Sequence, residues 1–210
     1  MTAASLGLEL ALLRGMTALM AEGRSRADEA MDRYASGDDA AFGEVYDEVA
    51  PRVYGFLLRQ TRDAAHAEDV LQQTMLQMHR ARATFLEGAA VLPWALAIAR
   101  RLAVDAHRRR RREVLGVEAD EERAGHAHDG EAHAVAAQTA QRLRAELERL
   151  PEAQRVAFQL VKDEGLSMAE AAAVLGTTVT AVKLRAHRAY QALRAALGDD
   201  AGAEPAGGES

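Results

Sequence analysis

No cysteine occurs in this 210-residue chain. That excludes a disulfide framework and any thiolate-held metal, and it suits a reducing cytoplasm, the expected location. Aromatic residues make up only 4% of the chain, and runs of β-branched residues are missing. Little therefore favours a sheet, and the abundance of alanine predicts helix throughout. No long apolar run survives inspection either. The opening MTAASLGLELALLRGMTALM is interrupted by Glu9 and Arg14 and lacks a preceding basic stretch, so neither a signal peptide nor a membrane span is expected. It reads as an amphipathic helix or a disordered extension. Phosphate-loop, dinucleotide, HExxH and nucleophile-elbow patterns are all absent. The expectation is a non-enzyme with no catalytic residues, no cofactor, no small-molecule substrate and no membrane insertion.

What is present begins with charge. The formal net charge of -6 argues superficially against a nucleic-acid binder. Its distribution argues the other way. Between Arg100 and Arg112 stand seven arginines and one acid, Asp105, whereas acid gathers from Glu113 to Glu131 and in the tail. Such segregation fits a protein whose acidic parts temper free DNA binding and leave productive contact to a larger assembly.

The most informative stretch is LSMAEAAAVLGTTVTAVKLRAHRAYQALRAAL, Leu166 to Leu197. Ser167 and Glu170 have the spacing of a capping box, so a helix starts there. Met168, Ala172 and Leu175 fall on one side of it, and Gly176 is a natural left-handed terminator. Thr177 or Thr178 then caps a second helix, in which Val179, Val182, Ala186, Tyr190, Leu193 and Leu197 lie within roughly 40 degrees of one line. Opposite them stand Leu184 and Arg188, flanked by Thr180, His187 and Gln191, with Lys183 and Arg185 to either side. From Thr178 to Arg194 there are four basic residues and no acidic one. The pattern is that of a helix-turn-helix, whose second helix enters the DNA major groove. An ordinary helical hairpin shares the periodicity but gives no reason for the missing acids.

Upstream, residues 1–36 precede any strong pattern, and Met31 is a second candidate start. Asp38 or Asp39 caps a helix carrying Phe42, Val45, Tyr46, Val49, Val53, Phe56, Leu57 and Leu58, in which Pro51 predicts a kink or break at Ala50. Asp63 caps the next helix, which buries Val70, Leu71, Met75 and Met78 and runs to about Arg82. Thr84 to Leu92 reads as a loop around Gly88. Pro93 then opens a helix that buries Trp94, Ile98 and Leu102 and ends in arginines. Residues 113–138 read as an acidic, flexible linker. Its His126, His128 and His133 lie beside Asp129 and Glu131, but no metal site is expected, because acidic linkers commonly hold histidines without supporting groups. Leu143, Leu147 and Leu150 mark a helix ended by Pro151, which opens another through Val156, Leu160 and Val161 to Gly165. The last residues, 198–210, read as a disordered acidic tail.

With these pieces in order, Asp38 to Leu197 resembles the extracytoplasmic-function (ECF) group of bacterial sigma factors. HAEDVLQQTMLQMHR is similar to a family stretch reading roughly DAEDLVQETFLRVWR. PWALAIARRLAVDAHRRRRR resembles W-x-x-x-I-A-R-N-x-x-x-D followed by arginines. LPEAQRVAFQLVKDEGLSMAEAAAVLGTTVTAVKLRAHRA resembles the LPE opening, LS-x-x-E-I-A-x-x-L-G and T-V-K-x-R-x-x-R-A. Gln73 stands where Glu is usual, His79 where an aromatic is, Arg101 where Asn is, and Leu184 where a small polar residue is.

The resemblance implies an all-α fold of two small helical domains joined by a flexible linker: a region-2-like domain over 37–112 and a region-4-like helix-turn-helix domain over 139–197. It implies a sigma factor that directs core RNA polymerase to promoters and acts on double-stranded and melted DNA, restrained by an anti-sigma factor. Glu68, Asp69, Gln72 and Gln73 would dock on the clamp helices of the polymerase's largest subunit. Loop Thr84 to Leu92 would capture an unpaired base of the minus-ten element, with Phe85 stacking on it or anchoring the loop. Arg100 and Arg101 would touch backbone near the melted strand, and Arg108 and Arg109, within the run ending at Arg112, would clamp phosphates unless they are only solvated. At the minus-thirty-five element Arg188 would bind guanine. Thr180, Leu184 and His187 would approach base edges or thymine methyls, Lys183 and Arg185 would contact phosphates, and Thr178 would lie at the helix start beside the DNA. The alternative is a stand-alone helix-turn-helix regulator that works without replacing sigma.

Overall fold

The computed structural model describes residues 24–114 and 134–198. Eight α-helices and two short 3-10 turns occur among them, with no strand, and no helix is long and apolar enough to cross a membrane. The chain divides into two compact units, each described by itself.

Helices α1 (Arg26–Ala35), α2 (Phe42–Thr61), α3 (Ala64–Ala81) and α4 (Val91–Val114) form the first. Helix α1 falls in the stretch that carries no strong pattern in sequence. It is nonetheless a packed helix, opened by a capping box between Ser25 and Asp28, with Ala27, Ala30, Met31 and Tyr34 buried. The Ser25–Asp28 box and the three- and four-residue spacing of Ala27, Ala30, Met31 and Tyr34 are local signals for this helix. Met31 is fully buried in the middle of that helix.

Asp38 caps a 3-10 turn, Asp39–Ala41, rather than α2 directly. Helix α2 then buries Val45, Val49, Val53, Phe56 and Leu57, while Tyr46 and Leu58 lie at the surface. The expected break at Ala50 does not occur, because α2 runs continuously through Pro51. Both Pro51 and Asp47 are exposed, so the Asp47 carbonyl that loses its intrahelical donor faces water. Asp63 caps α3 as its spacing predicts, Oδ1 accepting from the His66 N–H at 3.0 Å, and Val70, Leu71, Met75 and Met78 are buried. Trp94 and Ile98 of α4 join this core, and Leu102 is half-buried. Each fully buried Leu, Met or Phe here contributes about 1.5–3 kcal/mol over an exposed one.

Helices α5 (Ala134–Arg149), α6 (Glu152–Lys162), α7 (Met168–Leu175) and α8 (Val179–Gly198) follow. Helix α5 starts inside the stretch read as linker, where Ala134 to Ala140 is rich in the strongest helix former. Helices α5 and α6 both pack on α8, with Val156, Ala157 and Leu160 buried on α6 and Val182, Ala186, Ala189 and Leu193 on α8. The remaining sequence expectations, for residues 1–23, the linker histidines His126, His128 and His133, and the tail from 199, lie outside the described residues.

Candidate nucleic-acid interface

The helix-turn-helix is built by local chemistry. The Ser167 N–H donates to Glu170 Oε2 at 2.8 Å and the Glu170 N–H donates to Ser167 Oγ at 3.2 Å, so the capping box is complete. Helix α7 stops at Gly176, whose φ of +59° an L side chain rarely adopts. The Thr177 N–H closes back on the Ala172 carbonyl at 3.0 Å. Thr178 Oγ1 then accepts from the Ala181 N–H at 3.1 Å, so of the two threonines the sequence offered as caps it is Thr178 that starts helix α8.

The buried stripe of α8 differs from the predicted one by a small rotation. Val182, Ala186 and Leu193 are buried as expected, but Ala189 replaces Tyr190, and Val179 and Tyr190 are exposed. The residues expected to face DNA still point outward after this shift. Thr180, Lys183, Leu184, His187 and Arg188 are all exposed, and Arg185 is half-buried. Leu184 keeps 48% of its surface.

In the first unit, Glu68, Asp69, Gln72 and Gln73 are exposed together on α3. The face continues through the half-exposed Leu76 to Arg80. His79, at a position where the family pattern has an aromatic, pairs through Nδ1 with the Tyr34 hydroxyl. The Arg82 guanidinium, which can only donate, reaches the same nitrogen at 3.2 Å and lies 5.2 Å from the centre of the Tyr34 ring. A polar ring at 79 is thus matched by a tyrosine on α1.

The segment between α3 and α4 is held from three sides. Phe85 is buried, its ring 5.1 Å from that of Trp94 and tilted by 57°. Of the two roles considered for it, the anchoring one fits, because a ring packed on Trp94 offers little face to a base. The Gly88 N–H donates to the Asp32 carboxylate at 3.1 and 3.3 Å, and the Val91 N–H donates to Asp28 Oδ1 at 2.7 Å. Helix α4 therefore starts at Val91, two residues before the predicted Pro93, because a carboxylate from α1 satisfies its first amide. No local signal could have revealed that cap.

Along α4, Arg100 is half-buried, whereas Arg101, Arg108 and Arg109 are exposed. Arg110 reaches Asp63 Oδ2 at 3.5 Å, so the arginine run is partly engaged within its own unit. The His66 N–H and then Arg110 hold the Asp63 carboxyl below its ordinary range.

Both halves of this arrangement have counterparts. Residues 45–113 match the model for sigma-70 region 2, and residues 140–193 match that for sigma-70 region 4. The sequence is 37% identical over 171 residues to the RNA polymerase sigma factor CarQ of Myxococcus xanthus, covering 80% of this chain and 96% of CarQ. It is 34% identical to the ECF RNA polymerase sigma factor SigK of Mycobacterium tuberculosis, covering 82% of this chain and 94% of SigK. Among solved structures, the sigma factor RpoE bound to the anti-sigma factor NepR from Bartonella quintana aligns with a TM-score of 0.66 at 25% identity, covering 76% of this chain and 98% of that one. CnrH in complex with the cytosolic domain of CnrY aligns with a TM-score of 0.58 at 27% identity, covering 83% and 99%. Region 2 followed by region 4 places the chain in the sigma-70 class. Within that class, the chain belongs to the ECF group of RNA polymerase sigma factors.

Proposed function

We propose that this sigma factor reads its promoter with two separate devices once both are mounted on core RNA polymerase. The observation that carries the reading is the pair of exposed faces, one on each unit, with opposite chemistry. The α3 face of Glu68, Asp69, Gln72 and Gln73 is polar and partly acidic, and suits the clamp helices of the polymerase's largest subunit. The α8 face is acid-free and basic, and suits the minus-thirty-five major groove.

On α8, Arg188 makes a bidentate contact to guanine, Leu184 meets a thymine methyl, Thr180 and His187 approach base edges, and Lys183 and Arg185 hold phosphates. In the first unit, the loop ahead of α4 captures an unpaired minus-ten base, and Arg100, Arg101, Arg108 and Arg109 line the path of the melted strand. Capture offsets the few kcal/mol of stacking lost on melting, about the scale of one base step. The similar RpoE was solved with the anti-sigma factor NepR, which supports an anti-sigma partner here.

Adding the purified chain to sigma-free bacterial core polymerase tests this. Transcripts starting at defined promoters are expected. Tight DNA binding without polymerase, with no transcript in its presence, would instead indicate a stand-alone regulator.

A further inference from the structure

Two carboxylates of α1 project at the backbone of the loop ahead of α4. Asp32 accepts from the Gly88 N–H and is also paired with the Arg24 guanidinium. Asp28, itself buried, accepts from the Ser25 N–H at 2.9 Å and from the Val91 N–H at 2.7 Å. Gly88 has a φ of +80°, yet an added Cβ would meet nothing within 4 Å. Its glycine is needed for the left-handed turn that aims the amide at α1, and not for space. With Phe85 pinned on Trp94, the loop is fixed at 85, 88 and 91, and between these points Leu86, Glu87, Ala89 and Ala90 remain at least partly accessible.

We propose that α1 is a positioning element for the minus-ten loop: Asp32, seconded by Asp28, holds the Gly88 turn in the geometry that accepts an extruded base. This rests on the base-capture reading of the loop. Unengaged carboxylates beside a nucleic-acid strand would repel it. Asp28 and Asp32 instead spend their charge on backbone amides and Arg24, where hydrogen bonds to an ionised acceptor are at their strongest.

The test uses the full chain assembled with core polymerase. Permanganate reactivity of promoter thymines reports opening, paired promoters that differ at one minus-ten base report discrimination, and polymerase binding is followed separately. Asp32→Ala is expected to lower opening about tenfold, the scale of one hydrogen bond to a charged acceptor, and to flatten the minus-ten preference, with polymerase binding unchanged. Asp32→Asn, which keeps an acceptor for the Gly88 N–H, should recover most of the loss. Asp32→Glu, which keeps the charge but displaces it, should not. Should Asp32→Ala unfold, the Asn and Glu pair carries the test. Opening within twofold of the parent in Asp32→Ala and Asp32→Glu, or an equal loss on matched and altered promoters, overturns the proposal. Leu86→Ala and Glu87→Ala separate the two layers. If these alter minus-ten preference while the Asp32 variants do not, the anchoring proposal alone fails. If neither set alters it, the loop reading fails as well.

Discussion

In the proposed function helix α8 and the loop ahead of α4 both read DNA, and they are built in opposite ways. Helix α8 is rigid because its own buried stripe, Val182, Ala186, Ala189 and Leu193, packs from behind, so its outward side chains are free to differ. The loop is short, irregular and held by side chains from elsewhere: a ring on Trp94 and two carboxylates from α1. In the first device the scaffold is local and the readers are side chains. In the second the scaffold is tertiary, and Phe85, for which stacking and anchoring were both open, packs on Trp94 within it. A rigid helix suits the fixed groove of a duplex, whereas a turn with inward-aimed amides suits a single base that must first leave its stack.

The sharpest way to break this comparison is Phe85→Ala. A scaffold ring that is 8% exposed should cost about 3–5 kcal/mol of stability when truncated, measured as a lower denaturation midpoint of the full chain. A reading ring would leave stability unchanged and weaken only minus-ten DNA. Next in size is Arg188→Ala, expected to cost about 1–3 kcal/mol at one minus-thirty-five position. Lys183→Ala should instead weaken all sequences alike and lower the salt slope by about one. Binding of holoenzyme to a panel of single-base promoter variants distinguishes them, and a uniform loss for Arg188→Ala would remove its base-reading role.

Much of this was legible in advance wherever the cause is local. The Ser167–Glu170 box, the Gly176 stop, the Asp63 cap and the core positions of α3 all follow from neighbours in sequence. What stayed hidden has distant causes. Helix α1 is the exception, since its Ser25–Asp28 box is a local signal that went unread. The start of α4 depends on Asp28, 63 residues away. Pro51 breaks nothing because it faces water. On α8, ideal helical geometry placed Tyr190 in the core, but Ala189 is buried there and Tyr190 is exposed. The face proposed to read DNA is little affected, since it lies opposite the stripe and a small rotation leaves its centre exposed.

A smaller effect tests the local scaffold of α8. Thr178→Ala removes the acceptor for the Ala181 N–H and should cost about 1 kcal/mol of stability. Thr178→Ser should restore it, and promoter preference should stay as it was. A change in preference at constant stability would give Thr178 a DNA contact besides its cap.

The smallest expected effect belongs to the other unit and is one of pH. His66, in the first turn of α3, is half-buried. Burial, then the charge of Arg110, holds its imidazole below the ordinary 6.5, with His107 adding to the depression and Asp63 and Asp69 opposing it. The folded chain thus prefers the neutral ring, whereas the unfolded chain takes a proton near the ordinary value. Between the two values the unfolded state binds more protons, so stability falls as pH drops below about 6.5. His66→Gln should flatten that part of the profile, read as the change in Tm between about pH 7.5 and 5.5. Asp63 and Glu44 do not mask it, because both carboxyls are held below their ordinary values and their contributions are lost only in stronger acid. An unchanged slope in His66→Gln would mean that the ring is as well hydrated in the folded unit as in the open chain.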